Sequence, residues 1–278
     1  MKTKPHYRLW YIALVGLFSC SVALAKSLDT NQPNFVIIMA DDMGFSTASA
    51  YDGWIKTPAL ERMARDGMKF TDFHSSGAVC SPTRAGLVTG RYQERAGLPG
   101  VVYAAPSNPA HYTGLQDVEI TFAEELRKAG YATALMGKWH LGYFPQYNPI
   151  RHGFDEFHGF VSGNVDYLSH YDNTSTYDWW DGENQVVEEG YTTHLITQHA
   201  LNFIDTHKDG PFCLYVAHEA VHDPFQAPGS RIKRGPQKGQ PVDAEELTQE
   251  EIYTQMMVEM DKGIDAIRHR LDKHGLAN

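Results

Sequence analysis

The chain has 278 residues, of which 42% are hydrophobic, enough for one large α/β domain with a substantial core. Its formal charge is −10, from 24 Lys and Arg against 34 Asp and Glu, which argues against nucleic acid or another polyphosphate backbone as partner. A local cluster of cations can still bind a small anion on an acidic protein, so an anionic substrate stays open.

The amino terminus reads as a secretory signal peptide over residues 1–25. Lys2, Lys4 and Arg8 precede an apolar run from Leu9 to Phe18, and Ala23-Leu24-Ala25 supplies the cleavage pattern. The run is too short for a spanning helix. "GLFSC" also resembles a bacterial lipobox, which would end the leader at residue 19 and lipidate Cys20. The expected location is therefore periplasmic or secreted, with a membrane involved only through Cys20. One domain is expected over 26–278. Within it only Cys80 and Cys213 remain, and two cysteines in an exported chain can pair.

The first strand is "NFVIIMADDMG". Its continuously apolar run from Phe35 to Ala40 predicts burial on both faces and ends abruptly at Asp41 and Asp42. "TPALERMARDGMKF" predicts a helix with Thr57 as N-cap, Pro58 in its first position and Gly67 closing it. "SPTRAGLVTGRY" is a shorter second helix. In "TFAEELRKAGYATALMGKWHLG", Thr121 and Glu124 form a capping box, Gly130 ends the helix, and Tyr131 to Met136 runs as a strand. Residues 143–190 read as loop-rich and aromatic. A further helix leads through a Gly-Pro turn to a strand from Phe212 to Ala217. Arg231 to Pro241 is a basic loop. A long last helix carries a capping box of Thr248 and Glu251 and an apolar stripe of Ile252, Met256, Met260, Ile264, Ile267 and Leu271.

Helices alternating with apolar strands imply an α/β/α three-layer sandwich around a mostly parallel sheet. Ligands of such sheets bind beyond the carboxyl ends of the strands. Asp41-Asp42, Lys138-His140 and His218-His222 each follow a strand, so three strands deliver polar residues to one edge. The last helix predicts a returning strand, and none follows it before Asn278.

Each group at that edge has chemistry available to it. Adjacent carboxylates at Asp41 and Asp42 either hold a hard cation, Ca²⁺ in preference to Mg²⁺, or form a turn with one aspartate as a cap. Cys80 sits where a helix begins, and the N–H groups there attract anions. Arg84, one turn in, can add a forked cation. In an extended segment Lys138 and His140 point to one side and offer a cation and a proton carrier. His222 and His218 compete for a catalytic role, with His218 read as structural.

"CSPTRAGLVTGR" resembles the first signature of the sulfatases, "GYATALMGKWHLG" the second, "NFVIIMADDMG" their opening metal strand and "VHDPFQAP" their His-containing segment. The chain is thereby similar to the type I, formylglycine-dependent sulfatases of alkaline-phosphatase-like fold, over residues 34–228 and in style beyond. The resemblance implies that a separate maturation enzyme oxidises Cys80 to formylglycine, whose hydrate has two hydroxyls on one carbon. One attacks the sulfur of a sulfate ester and the other, on losing its proton, lets the sulfate leave. This lowers the standing of a disulfide. Asp41, Asp42 and modified Cys80 would ligate Ca²⁺. Arg84 would hold the hydrate, Lys138 would bind a sulfate oxygen, and His140 would help deprotonate the hydrate. His222 would contact the sulfate and protonate the leaving alcohol.

The family continues to a strand ending in Asp-Asn, a further lysine and a small antiparallel sheet, none of which this sequence contains. Asp261 and Asp272 lie inside a helix and do not match. The chain is therefore expected to be the N-terminal part of a sulfatase and not competent in turnover alone. A sulfated glycan or aryl sulfate is the expected substrate, the glycan because Tyr143, Tyr147, Tyr167, Tyr171, Tyr177, Trp179 and Trp180 crowd one loop region. The alternatives are an inactive remnant or binding protein, and a phosphohydrolase of the same fold, for which Ser or Thr at position 80 would be expected.

Overall fold

The computed structural model describes residues 32–240 and 247–277. The leader over 1–25, Cys20 and Pro241 lie outside the described residues. In chain order the elements are β1 (Phe35–Met39), α1 (Pro58–Asp66), α2 (Cys80–Thr89), α3 (Phe122–Lys128), β2 (Ala132–Lys138), β3 (Glu156–Phe160), β4 (Trp180–Asp181), β5 (Asn184–Gln185), α4 (Thr192–His207), β6 (Phe212–Ala217) and α5 (Gln249–Lys273).

The strands form one sheet in the order β1-β6-β2-β3-β4-β5. The first four run parallel, and β4 and β5 form an antiparallel ribbon at the far end. Side chains alternate across this sheet, as the pleat requires. Phe212, Leu214 and Val216 of β6, with Ala134 and Met136 of β2, pack on Ile196, Ala200 and Ile204 of α4 and Ile267 of α5. Tyr215, Ala217 and Leu135 face the other way, toward Ala85 and Val88 of α2 and Ala123 of α3. The sandwich therefore has three layers, and burial of each such Leu, Ile or Phe contributes about 1.5–3 kcal/mol.

Register explains the active edge. Met39, Ala217 and Gly137 lie in one row across β1, β6 and β2. The chain leaves all three strands at the same level, so Asp41, His218 and Lys138 emerge together.

Local sequence predicts several elements well. Both capping boxes form, at Thr121 with Glu124 and at Thr248 with Glu251. Strand β6 has the expected bounds, and Met256, Met260, Ile264 and Ile267 of α5 are buried. Strand β2 begins at Ala132, one residue later than expected, and runs on to Lys138.

Other expectations need correction. Strand β1 is only half-buried, with Phe35 40% exposed. Its alternate residues do face both cores, but among the described residues only β6 pairs with it. Strand β3 lies inside the segment read as loop, because Glu156, His158 and Gly159 interrupt its apolar pattern. The aromatic residues of that segment mostly serve packing. Tyr167 and Trp179 are fully buried, and Trp179 stacks on His170.

Helix α1 starts after Thr57, yet the Thr57 side chain makes no cap bond. Asp261, in the middle of α5, does that work instead. Its carboxylate accepts from the N–H of Ala59 at 2.9 Å and of Leu60 at 3.0 Å. Two orphan donors of α1 are thus satisfied by a distant acid, which ties α1 to α5. Asp261→Ala should destabilise the fold by about 1–2 kcal/mol, the scale of a lost cap. Thermal unfolding should then fall by roughly 2–4 °C per kcal/mol for a domain of this size. An unchanged melting temperature would contradict the role.

Candidate active site

Asp41 lies two residues beyond β1. Its backbone N–H donates to Ala220 O at 3.0 Å and its carbonyl accepts from Val221 N at 2.7 Å, stitching the ends of β1 and β6 together. Its buried carboxylate pairs with Lys138 Nζ and lies 3.8 Å from Arg84 Nη2. Burial pushes the Asp41 carboxyl up, but Lys138 and Arg84 outweigh it and hold it below the usual range.

Asp42 has φ 54°, and this turn sends its side chain elsewhere. It is exposed and stands 3.4 Å from His222 Nε2. The adjacent carboxylates therefore diverge, one buried among cations and one at the rim.

Cys80 is the first residue of α2, after an extended Val79 whose side chain makes no cap bond. Pro82 has no N–H and Thr83 N donates to Val79 O at 3.2 Å, so the open N–H groups of this helix start are those of Cys80 and Ser81. Arg84 follows one turn later and is 1% exposed. Its Nη1 donates to Lys138 O at 2.8 Å, while Nε and Nη2 are buried and, although Nη2 faces the Asp41 carboxylate at 3.8 Å, have no hydrogen-bond partner among the described residues. An unsatisfied buried guanidinium is costly, and an oxygen-rich anion is the group that satisfies it.

Lys138 ends β2 and is fully buried. His140 does not share its side by extended alternation, because His140 has φ 57°. The turn instead drives the ring against Gly163, where an added Cβ would come within 2.7 Å of it. His140 Nε2 donates to Val102 O at 2.8 Å, so Nδ1 carries the lone pair, buried and unpartnered. Burial first, and Lys138 next, hold its pKa well below the ordinary histidine value, leaving a neutral base.

His222 is the most strongly organised histidine. Its Nδ1 donates to Asp223 O at 2.6 Å, and Asn164 Nδ2 donates to the same carbonyl at 2.7 Å. Ligand atoms of Asp41, Cys80 and His222 all lie within 4.8 Å of one another. Burial raises the Cys80 thiol, but the hydrogen bond to His222 and the charge of Lys138 prevail, and its pKa falls. Burial is the largest influence and lowers His222, but its bonds to Cys80 and the Asp223 carbonyl and the charge of Asp41 together outweigh it and raise it to about 9.

The structure thus brings together all seven residues singled out by sequence: Asp41, Asp42, Cys80, Arg84, Lys138, His140 and His222. His218 emerges beside them, but its ring is fully buried with neither nitrogen partnered among the described residues, and burial pushes it down to about 4. Cys80 and Cys213 are both free thiols, Cys213 lying at the opposite, amino end of β6. Sequence reasoning missed Asn164, Tyr103 and Asn173, which line a cleft of about 320 Å³ with Cys80, His140 and His222. It also missed Glu219, which accepts from Val165 N at 2.6 Å and is pushed up to about 8 by burial. No spacing rule marks these loop residues.

In the thiol form, His222 should keep its proton through neutral pH, with an NMR titration midpoint near 9. Because the raised pKa depends on Cys80, Cys80→Ala should move the midpoint down. A midpoint at the ordinary value of about 6.5 in the unaltered protein would contradict the geometry.

The sulfatase family model matches residues 33–278. Arylsulfatase J of Mus musculus is 35% identical over 214 residues, covering 74% of this chain and 35% of that protein. The N-acetylglucosamine-6-O-sulfatase of Bacteroides thetaiotaomicron is 34% identical over 224 residues, covering 80% of this chain and 36% of that protein. Among solved structures, Ps i-CgsB superposes with a TM-score of 0.73 at 26% identity, covering 88% of this chain and 56% of that chain. The chain spans little more than a third of the length of these curated relatives. It shares its alkaline-phosphatase-like architecture with them, covers the N-terminal portion of that fold, and belongs to the sulfatase family.

Proposed function

We propose that the protein hydrolyses sulfuric esters, taking a sulfated carbohydrate or an aryl sulfate, with Cys80 converted to formylglycine by a separate maturation enzyme. The observation that carries this reading is the setting of Cys80. It stands at a helix N-terminus beside His222, and a buried Arg84 nearby has two nitrogens still lacking partners. Export through the leader over 1–25, with Cys20 as an alternative lipid anchor, belongs to the same reading.

The residues fit the modification. Formylglycine, as its hydrate, supplies a hydroxyl nucleophile and a second hydroxyl through which the sulfate is released. An oxygen at this position would meet the open donors of Arg84. Lys138 places a buried positive charge beside it for a sulfate oxygen. His140, neutral with a bare Nδ1, is suited to accept a proton, and His222, oriented by its Nδ1–H bond to the Asp223 carbonyl, to give one to the departing alcohol.

The residues also fit a hard ion once the cysteine is changed. As a thiol, Cys80 with Asp41 and His222 forms a mixed set suited to softer metals. As an oxygen ligand beside Asp41 and Asp42, it suits Ca²⁺ better than Mg²⁺, with water completing the six to eight positions that calcium takes. The ion would compete for the Asp41 carboxylate that Lys138 and Arg84 now neutralise.

Three related proteins bear on the substrate. The proteins matched in Mus musculus and Bacteroides thetaiotaomicron include sulfatases named for N-acetylgalactosamine and N-acetylglucosamine at the 6 position. Ps i-CgsB is solved in complex with a neocarrahexaose. Tyr103 and Tyr143 line the cleft here and offer aromatic surface to a sugar ring.

Coexpression with a maturation enzyme should lower the mass of the Cys80 peptide by about 18 Da, the change from thiol to aldehyde. Sulfate release from 4-nitrophenyl sulfate by the whole protein should then fall on the order of 10⁴-fold or more in Cys80→Ala. An unmodified peptide, or turnover surviving the substitution, would refute the nucleophile.

Asp42 is exposed, so Asp42→Asn leaves the packed Asp41–Lys138 pair alone. Calorimetry on the converted protein should show Ca²⁺ binding weakened at least about tenfold in this variant. Equal affinity would leave Asp42 as a turn residue.

A further inference from the structure

The basic loop after β6 is unusual in this acidic chain. Between Arg231 and Gln240 it holds Arg231, Lys233, Arg234 and Lys238 and no acid. A solvated loop is the ordinary fate of such a segment, but this one is built against the active-site wall. Asp166, fully buried, accepts through Oδ2 from Lys233 N at 2.6 Å, Arg234 N at 3.0 Å and Gln226 Nε2 at 3.0 Å. Ser169 Oγ donates to Arg234 O at 3.1 Å. Gly235, at φ 77°, lies flat on the Tyr171 ring, where an added Cβ would meet ring atoms at 2.4 Å. Backbone anchoring of this kind fixes where residue 234 sits without using its side chain.

That side chain turns toward the cleft. Arg234 Nη1 donates to Asn164 Oδ1 at 3.0 Å, while Asn164 Nδ2 donates to the Asp223 carbonyl that also orients His222. Asn164 lines the cleft, so Arg234, in contact with it, stands next to the cleft's edge. Among the described residues no carboxylate lies within 4.0 Å of its guanidinium, and Glu219 is turned to Val165 N. Nη1 is committed to Asn164, through its Oδ1 at 3.0 Å and its carbonyl at 3.4 Å, which leaves Nε and Nη2 as a fork able to grip a planar or tetrahedral anion.

We propose that Arg234 is a specificity-determining residue that receives a second anionic substituent, a sulfate or a carboxylate, on the sugar carrying the scissile ester or on its neighbour. This rests on the reading of the cleft as a sulfatase site. It makes the substrate a polyanionic carbohydrate, distinct from a singly charged sulfate ester, which would leave Arg234 unused.

The test is calorimetric binding to the full chain, expressed without a maturation enzyme so that Cys80 stays a thiol and nothing is turned over. The probes are N-acetylglucosamine 6-sulfate, glucosamine 2-N,6-O-disulfate, and a disaccharide of glucuronic acid linked to N-acetylglucosamine 6-sulfate. At least one of the two dianionic probes should bind about tenfold more tightly than the monosulfated sugar, the scale of one charge-assisted contact. Which of them does so tells sulfate from carboxylate. Arg234→Gln should reduce that probe to the affinity of the monosulfated sugar and leave the latter unchanged. Arg234→Lys should keep part of the preference. Equal binding of all three probes, or a preference that survives Arg234→Gln, would overturn the proposal. Loss of monosulfated binding in Arg234→Gln would overturn it too, because Arg234 would then only support Asn164. Sulfate release by the converted protein decides the catalytic reading separately, since a binding preference without turnover refutes hydrolysis alone.

Discussion

The buried carboxylate of Asp41 faces Lys138 and Arg84 where β1, β2 and α2 meet, and most of the site is arranged around that triple. Taking three charges out of water is expensive, and removing one partner from such a cluster commonly costs about 3–5 kcal/mol. The cluster is held because each member is tied elsewhere as well. Asp41 is stitched to the β6 exit by two backbone hydrogen bonds, Arg84 donates to the Lys138 carbonyl, and Lys138 is the last residue of a central strand. One acid and two bases leave a net positive patch beside Cys80, on a chain whose formal charge is −10.

That local excess has consequences for the neighbours. The pocket lowers the pKa of the Cys80 thiol and keeps the His140 ring neutral, while the bond to Cys80 helps to raise that of His222. Two histidines at one edge are thus driven in opposite directions by burial and partners. A site that must both take and give a proton needs such a separation. The open donors of Arg84 and the lone pair of His140 are strains that the resting fold does not relieve. They are what a bound or covalently introduced oxygen group would satisfy.

Around this charged centre the fold is conventional in its physics. Parallel strands β1, β6, β2 and β3 end level with one another, and helices cover both faces. Loops beyond the strand ends carry the chemistry. Buried acids organise them: Asp166 gathers the basic loop, and Asp178 accepts from the N–H groups of Val161 and Ser162. Such carboxylates replace the backbone pairing that an irregular segment lacks.

Much of the fold and most of the polar edge beyond the strands were legible in the residues themselves. Strand β6 and the capped ends of α3 and α5 rest on local rules, hydrophobic runs and an N-cap with its reciprocal Glu, so a short window of sequence determined them. The convergence of Asp41, Lys138 and His222 followed from their places just after strands, because parallel strands deliver their ends to one side. Tertiary structure alone decided the rest. Asp261 capping α1, Asn164 linking His222 to Arg234, and the half-buried edge position of β1 all join residues far apart in the chain. The reversal of φ at Asp42 and His140 likewise depends on what surrounds them. Local propensity carries no term for a partner two hundred residues away, and these features exist only once packing has brought the partners together.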